Sequence, residues 1–286
     1  MEYVTLNNGV RMPKLGFGVF QIPKEDCERC VLDAFRAGYR LIDTAQSYDN
    51  EEQVGNAVSK CGIAREELFI TTKVWIDHYG YEQTRESVLR SMKKLQSDYL
   101  DLVLLHQPFG DYYGAYRALE DLYDEGKLRA IGVSNFAPDR LADLAAFNRI
   151  VPQVNQVEVH PLYQQGRAQE NMVRRNVQMA AWAPFGEGRK DLFHHPVLFN
   201  IAQAHHKSVA QIILRWLMQR NIVALAKSVH PERMEENRNL FDFALTDGEM
   251  ARIAQLDTRT SLFFDHQSPE TVELFVSMVK ERKGRA

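Results

Sequence analysis

The sequence predicts a closed (β/α)8 barrel, or TIM barrel, with an N-terminal β-hairpin below it and a C-terminal tail and helix above it. Three observations support this prediction. The length of 286 residues is usual for such a barrel. Apolar, β-prone segments start about every thirty residues, which is the size of a βα unit, and amphipathic helical patterns lie between them. No linker or low-complexity tract interrupts the chain, so we expect a single domain over residues 1–286.

The first predicted element is the hairpin, at residues 3–12. Two β-prone stretches flank Asn7, Asn8 and Gly9. Because Asn-Gly suits a two-residue turn with positive φ, we expect a tight turn there. We expect the hairpin to cover the lower end of the barrel.

Eight barrel strands are then predicted at residues 15–20, 41–45, 68–75, 100–106, 130–134, 154–159, 179–183 and 222–228. The helices between and after them are predicted at residues 27–36, 51–59, 83–95, 113–125, 138–147, 168–175, 209–218 and 232–240. An open doubly wound sheet is the structural alternative, but Gly16-Phe17-Gly18 has no third glycine and no helix directly after it. After a helix at residues 247–256, the tail 257–286, with a helix at 269–281, is long enough to cross the barrel mouth.

Composition narrows the class of protein. A formal net charge of −3 gives no reason to expect nucleic acid or an anionic membrane as a partner. The start of the chain lacks a cationic stretch and an apolar core, so we expect a cytoplasmic protein, by default a monomer. Cys27 and Cys30 form a C-x-x-C, but helical spacing explains the pair, and a metal site would need a second pair. We therefore expect no metal.

Four polar residues stand at or just beyond the C-terminal ends of three successive predicted strands: Asp43, Tyr48, Lys73 and His106. The C-terminal ends of parallel barrel strands meet at one face, where barrel enzymes build their active sites. Each residue alone also has a structural interpretation, as a helix cap, a loop aromatic, a solvated strand end or a core imidazole. Their joint placement favours an active site.

Together these residues can deliver a proton to a carbonyl oxygen. A phenol has an ordinary pKa of about 10, and we expect the ammonium of Lys73 to lower that of Tyr48 by roughly one to three pH units. Asp43 would hold the ammonium in place, and His106 would orient the substrate oxygen. Since the group lacks an activated serine, an activated cysteine and a metal, a nicotinamide hydride is the attacking species that we expect.

These residues resemble the signature of the aldo-keto reductases in order and spacing. The resemblance rests on LIDTAQSY at residues 41–48, Asn50-Glu51, Thr72-Lys73 and LHQP at residues 105–108. It extends from the hairpin to residues 263–266. The chain looks most like prokaryotic members related to 2,5-diketogluconate reductases.

The resemblance implies a bound NADPH, preferred over NADH. Contacts to the nicotinamide half would come from Asp43, Ser134, Asn135, Gln156 and the stacking ring of Trp182. The loop with Ala183, Phe185 and Gly186 would close over the pyrophosphate. The adenosine-phosphate site would consist of Lys227, Ser228, Arg233, Glu236 and Asn237. Cationic side chains beside a helix N-terminus suit a phosphate dianion.

The resemblance also implies a small-molecule carbonyl substrate. We expect its pocket to include Phe20, Trp75, His106 and Phe109, and to accept small aldehydes, dicarbonyls and keto sugars broadly. His106 favours carbonyl reduction, because relatives that reduce a steroid C=C bond carry glutamate there. Two alternatives stay open: a cofactor-binding regulatory subunit with little turnover, and a barrel aldolase that forms a Schiff base on Lys73.

Overall fold

The computed structural model describes residues 1–285, and its centre is a closed barrel of eight parallel strands. The strands are β1 (Tyr3–Thr5), β2 (Arg11–Pro13), β3 (Leu15–Gly18), β4 (Leu41–Asp43), β5 (Phe69–Val74), β6 (Leu102–Leu105), β7 (Ile131–Ser134), β8 (Val154–Glu158), β9 (Gln178–Trp182) and β10 (Val223–Ala226). Strands β3 to β10 follow one another around the barrel, and β10 pairs with β3 to close it. The predicted fold class is confirmed.

The helices surround the barrel and supply its outer layer, except the last one, which belongs to the tail above the barrel mouth. They are α1 (Lys24–Arg36), α2 (Glu51–Lys60), α3 (Tyr81–Lys94), α4 (Tyr112–Asp124), α5 (Pro138–Phe147), α6 (Gly166–Arg174), α7 (Pro196–His205), α8 (Val209–Gln219), α9 (Pro231–Arg238), α10 (Asp247–Ala254) and α11 (Pro269–Arg285). Capping boxes start α8, at Ser208, and α10, at Thr246. Proline is the first residue of α5, α7, α9 and α11, where its fixed φ suits a first helical turn.

The helix ends mostly lie within three residues of the predicted ones, and two helices differ more from the expectation. Helix α7 was not predicted, because Val197, Leu198 and Phe199 follow one another without helical spacing; it packs against α8 and α10. Helix α11 extends past the predicted end at residue 281.

The hairpin of β1 and β2 closes the lower end of the barrel, as predicted. Val4, Leu6 and Met12 from the hairpin are buried in one cluster with barrel-interior residues such as Leu41 and Phe69. This cluster fills the lower half of the barrel interior, so the C-terminal end is the open face of the barrel.

The predicted two-residue turn of the hairpin is wrong. The φ angle is positive at Gly9, at 86°, but not at Asn8. Leu6 N donates to Val10 O at 2.9 Å, which leaves a loop of three residues, 7–9. The two asparagine side chains instead bond to backbone carbonyls of distant residues. Asn7 Nδ2 donates to Pro152 O at 3.1 Å, and Asn8 Nδ2 donates to Arg129 O at 2.9 Å. These long-range bonds outweigh the local turn preference.

The C-x-x-C pair of α1 is part of the core. Cys27 and Cys30 are both fully buried and unpaired. Burial raises the pKa of Cys27 to about 12, and the neighbouring Cys30 adds to the rise. Because the thiolate is the reactive form, this burial removes the pair from redox chemistry near neutral pH. Within residues 1–285, no helix has the length and apolar character of a membrane span.

Gly55 of α2 allows a close contact between α2 and the end of α3. A Cβ at this position would lie 2.2 Å from the Lys94 carbonyl oxygen and 2.9 Å from Leu95 Cα, both backbone atoms of the α3 end. We expect Gly55→Ala to lower the free energy of unfolding by roughly 1–3 kcal/mol, since α2 and α3 must separate. Urea denaturation measures this change.

Gly248 of α10 is the matched control for Gly55. A Cβ there would meet nothing within 4 Å. We expect Gly248→Ala to be neutral or to stabilise by up to about 1 kcal/mol, because alanine is the better helix former. Equal effects of the two substitutions would contradict the close-contact explanation.

Candidate active site

The structure brings the four predicted residues together at the C-terminal face of the barrel. Asp43 ends β4, Lys73 lies in β5, His106 directly follows β6, and Tyr48 ends the 3-10 turn Gln46–Tyr48. Lys73 Nζ donates to an Asp43 carboxylate oxygen, to Thr44 O at 3.0 Å and to the Tyr48 hydroxyl at 3.2 Å. All three ammonium protons therefore have an acceptor.

The charge on Lys73 is stabilised even though the side chain is fully buried. Burial lowers the pKa of this amine, but Asp43 and then Tyr48 more than offset that effect, and the net pKa is raised. Lys73 is thus an ammonium at neutral pH, paired with a carboxylate 6% exposed.

The predicted lowering of the Tyr48 pKa is wrong. Burial raises the pKa of this phenol above its ordinary value, and the charge of Lys73 only partly opposes the rise, while Asp43 adds to it. Sequence reasoning counted the neighbouring cation and missed the cost of removing the phenolate from water. Tyr48 is therefore a protonated phenol at neutral pH.

His106 is neutral and faces Tyr48 across a cleft. Burial lowers the pKa of its imidazole well below the usual range, and the charges of Lys73 and His266 lower it further. The rings of Tyr48 and His106 are edge-to-face with centroids 5.7 Å apart, and the Trp75 ring is also edge-to-face with His106, at 5.1 Å. Ser47 Oγ lies 3.3 Å from His106 Nδ1.

A cavity of about 770 Å³ opens above these four side chains. Phe20 and Trp75 line it, as predicted from the sequence. Phe109 does not reach its wall: its ring stacks behind His266, with centroids 6.2 Å apart, and packs on Phe275 at 5.5 Å. The prediction for Phe109 is therefore wrong in detail, because the tail lies between this ring and the cavity.

The C-terminal tail supplies the upper wall, and sequence reasoning did not identify its residues as part of the site. Those that line the cavity include Phe263, Phe264, His266, Phe275, Met278 and Arg282. The sequence places a tail near the mouth, but which side chains face inward depends on long-range contacts. The tail is anchored by Glu158, which accepts from Ser261 Oγ at 2.5 Å and from Leu262 N at 2.8 Å.

The opposite side of the cleft is a network of amides. Gln156 Nε2 donates to the second Asp43 oxygen at 2.8 Å, and Ser134 Oγ donates to Gln156 O at 2.8 Å. Asn135 Nδ2 donates to His106 O at 3.1 Å, and its Oδ1 accepts from Trp182 Nε1 at 2.8 Å. Asn135 therefore orients the Trp182 indole, while Gln156 Oε1 has no hydrogen-bond partner within residues 1–282, whose side chains the structure describes.

A second cavity of about 640 Å³ continues the first one. The two share Phe185, Phe193, Lys227 and Arg233 as wall residues. Ala183 lines the first cavity, whereas Gly186 lines neither. The second cavity is also lined by Ser228, Glu236 and Asn237. The cleft thus runs without interruption from the tetrad, as we call Asp43, Tyr48, Lys73 and His106, to the N-terminus of α9.

The pattern of residues 14–258 matches the model of the aldo/keto reductase family. The chain belongs to the aldo/keto reductase family. It is 46% identical over 258 residues to glyoxal reductase of Bacillus subtilis, and the match covers 90% of this chain and 93% of that protein. It is 42% identical over 286 residues to morphine 6-dehydrogenase of Pseudomonas putida, covering 94% and 95%.

A solved aldo-keto reductase from Bombyx mori, in complex with NADP, has the same fold. Its TM-score is 0.88 at 31% identity, with 95% of this chain and 96% of that chain covered. This chain is therefore an oxidoreductase of a family that acts on carbonyl substrates with nicotinamide cofactors.

His266 of this aldo/keto reductase gives a prediction about acid stability. Burial lowers the pKa of its imidazole to about 4, although Glu158 and Asp265 oppose the shift. The unfolded chain binds a proton at this residue below pH about 6.5. The folded form takes up that proton only near pH 4. Protonation of the unfolded chain therefore lowers the free energy of unfolding as the pH falls from about 6.5 to about 4.

We expect His266→Gln to shrink the loss of unfolding free energy between pH 7 and pH 5 by about 2 kcal/mol. Urea titrations at the two pH values measure it. His194→Gln is the control, because the His194 ring is 77% exposed in the folded chain. An unaltered pH dependence in His266→Gln would contradict the assignment.

Proposed function

We propose that this aldo/keto reductase reduces aldehydes and ketones to alcohols with NADPH, and that Tyr48 donates the proton. One observation carries the proposal: the Tyr48 hydroxyl lies 3.2 Å from a buried ammonium and opposite a neutral imidazole, at the floor of one cavity. The group is built to stabilise negative charge on oxygen as it develops.

Each member of the group has a distinct part in the proton transfer. The Tyr48 O–H gives its proton to the carbonyl oxygen, and the phenolate that results lies next to the charged Lys73. Asp43 keeps that ammonium charged and directed, while a His106 N–H holds the carbonyl oxygen beside the phenol. Proton donation of this kind contributes about 10²- to 10⁴-fold to a rate. The nicotinamide cofactor, when bound, supplies the hydride.

The cleft suits an extended dinucleotide. Its two connected cavities, of about 770 and 640 Å³, offer room for a nicotinamide half and an adenosine half. Gln156 Oε1 is available to accept from a carboxamide, and the Trp182 indole, held by Asn135, offers a flat apolar face. These residues support nicotinamide binding at the tetrad.

NADPH is proposed over NADH because of the charges at the far end of the cleft. Lys227 and Arg233 are both exposed there and belong to no ion pair within the described part of the chain. Ser228 Oγ accepts from His230 N at 3.1 Å in the turn that leads into α9. Two unpaired cations beside a helix N-terminus suit the extra phosphate of NADPH. The NADP complex of the Bombyx mori relative supports this choice.

For substrates, we propose small aldehydes, dicarbonyls and keto sugars, accepted broadly. The walls above these four residues are mainly aromatic, and the tail adds the polar side chains His266, Glu281 and Arg282. Relatives named for glyoxal and for morphine, compounds of very different size, support a site that tolerates variety.

The two alternatives fit less well. Schiff-base formation needs a neutral amine, whereas all three protons of Lys73 are bonded and its pKa is raised. A purely regulatory subunit would not need the assembled proton-delivery group. A stable complex in pull-down with negligible NADPH oxidation would favour regulation, and borohydride trapping without a nicotinamide requirement would favour the aldolase.

Tyr48→Phe tests the proposed reaction. We expect NADPH oxidation across a panel of aldehydes, dicarbonyls and keto sugars to fall by about 10²-fold or more, because the proton donor is lost. The affinity for NADPH, measured by fluorescence titration, should be retained. Tyr81→Phe is the control, since the Tyr81 hydroxyl bonds Asp121 on the surface. Turnover that survives Tyr48→Phe would refute the mechanism.

Lys227→Met tests the cofactor preference. We expect the KM for NADPH to rise about 10- to 100-fold, as for loss of a charge-assisted hydrogen bond worth about 1.5–3 kcal/mol, while the KM for NADH changes little. Lys93→Met, at an exposed position of α3, is the matched control. Equal changes for both cofactors would show that Lys227 does not contact the phosphate that distinguishes them.

A further inference from the structure

The neutral imidazole of His106 carries one ring proton, which can sit on either nitrogen. Nδ1 lies 3.3 Å from Ser47 Oγ. Nε2 has no hydrogen-bond partner among the side chains that the structure describes, those of residues 1–282, and the ring lines the main cavity. Only the tautomer with the proton on Nε2 can therefore donate to a carbonyl oxygen there. The other tautomer would present a lone pair to that oxygen and repel it.

The hydroxyl of Ser47 favours one of these tautomers. If Ser47 Oγ donates to Nδ1, its proton has an acceptor and the ring proton sits on Nε2. If instead it accepts from Nδ1–H, its own proton is left without an acceptor from the chain, because His106 Nδ1 is the hydrogen-bond partner that the described residues give this oxygen. In a partly buried site, the first arrangement satisfies more hydrogen-bonding groups.

Ser47 is held firmly enough to act in this way. Its carbonyl oxygen accepts from Arg282 Nη1 of α11 at 3.1 Å, and Arg282 Nη2 also donates to Asp49 at 3.1 Å. The preceding residue, Gln46, accepts from Trp75 N at 3.0 Å. The turn that carries Ser47 and Tyr48 is thus attached both to the residue that directly follows β5 and to the C-terminal helix.

We propose that Ser47 is a positioning residue that selects the Nε2–H tautomer of His106, so that His106 presents a donor to the substrate oxygen. This inference rests on the proposed function for its catalytic consequence, but the tautomer itself does not depend on turnover. No contact between Ser47 and the substrate is required. Its effect is transmitted through the imidazole.

Long-range ¹H–¹⁵N NMR correlation of the histidine rings tests the proposal directly. The full chain is labelled, and His106 is assigned by comparison with His106→Gln. We expect the wild-type ring to be in the Nε2–H form, and Ser47→Ala to shift the population towards Nδ1–H. Ser47→Thr, which keeps the hydroxyl, should preserve the wild-type tautomer.

Kinetics of the same variants provide the second readout. We expect Ser47→Ala to lower kcat for a carbonyl substrate roughly 3- to 10-fold, the worth of one neutral hydrogen bond, with the Kd for NADPH unchanged. Ser47→Thr should retain most of the activity. Ser59→Ala, on the exposed side of α2, should behave as wild type.

Two results would overturn the proposal: a wild-type His106 in the Nδ1–H form, or a folded Ser47→Ala protein whose His106 tautomer is unchanged. The first result is read from the wild-type protein, so it can overturn the proposal even if a variant fails to fold. Failure of the proposed function is a separate outcome, recognised by turnover that survives Tyr48→Phe.

Discussion

The buried ion pair of Lys73 and Asp43 is the interaction on which the site depends. An unpaired charge in the barrel interior would cost several kcal/mol, so each partner requires the other. The pair does more than neutralise charge. Lys73 uses its remaining protons on Thr44 and Tyr48, and Asp43 uses its second oxygen to accept from Gln156 of β8. One carboxylate thus joins the Lys73 and Tyr48 side of the cleft to the amide network on the opposite side.

The same charge acts together with burial on the protonation of its neighbours. Burial lowers the pKa of the His106 imidazole most and the Lys73 ammonium lowers it further, so the ring keeps a single proton, which the proposed reaction uses as a directed donor. Beside Tyr48 the ammonium limits, without reversing, the rise in pKa caused by burial. In the proposed reaction, the phenol stays protonated until a carbonyl oxygen begins to take its proton, and the ammonium then favours the phenolate that forms. Burial and charge together set the protonation of Tyr48 and His106, and neither alone accounts for it.

Much of this arrangement could be predicted from the sequence, because strand period and strand-end residues are local signals. The barrel, its hairpin cap and the meeting of Asp43, Tyr48, Lys73 and His106 follow from them. The remaining features depend on distant contacts. The hairpin turn is set by amide bonds to residues 129 and 152, and Phe109 is displaced from the cavity by a tail some 150 residues further along. The direction of the Tyr48 pKa required the depth of burial, which no motif reports.

The hairpin restricts how molecules enter and leave the site. With Val4, Leu6 and Met12 filling the barrel floor, substrate enters and product leaves through the same opening, so product must leave before the next substrate binds. Because the tail and loops form that opening, changes in its width or polarity leave the packed floor unaltered. Natural or engineered variants can therefore alter which molecules enter without disturbing the closure of the barrel below.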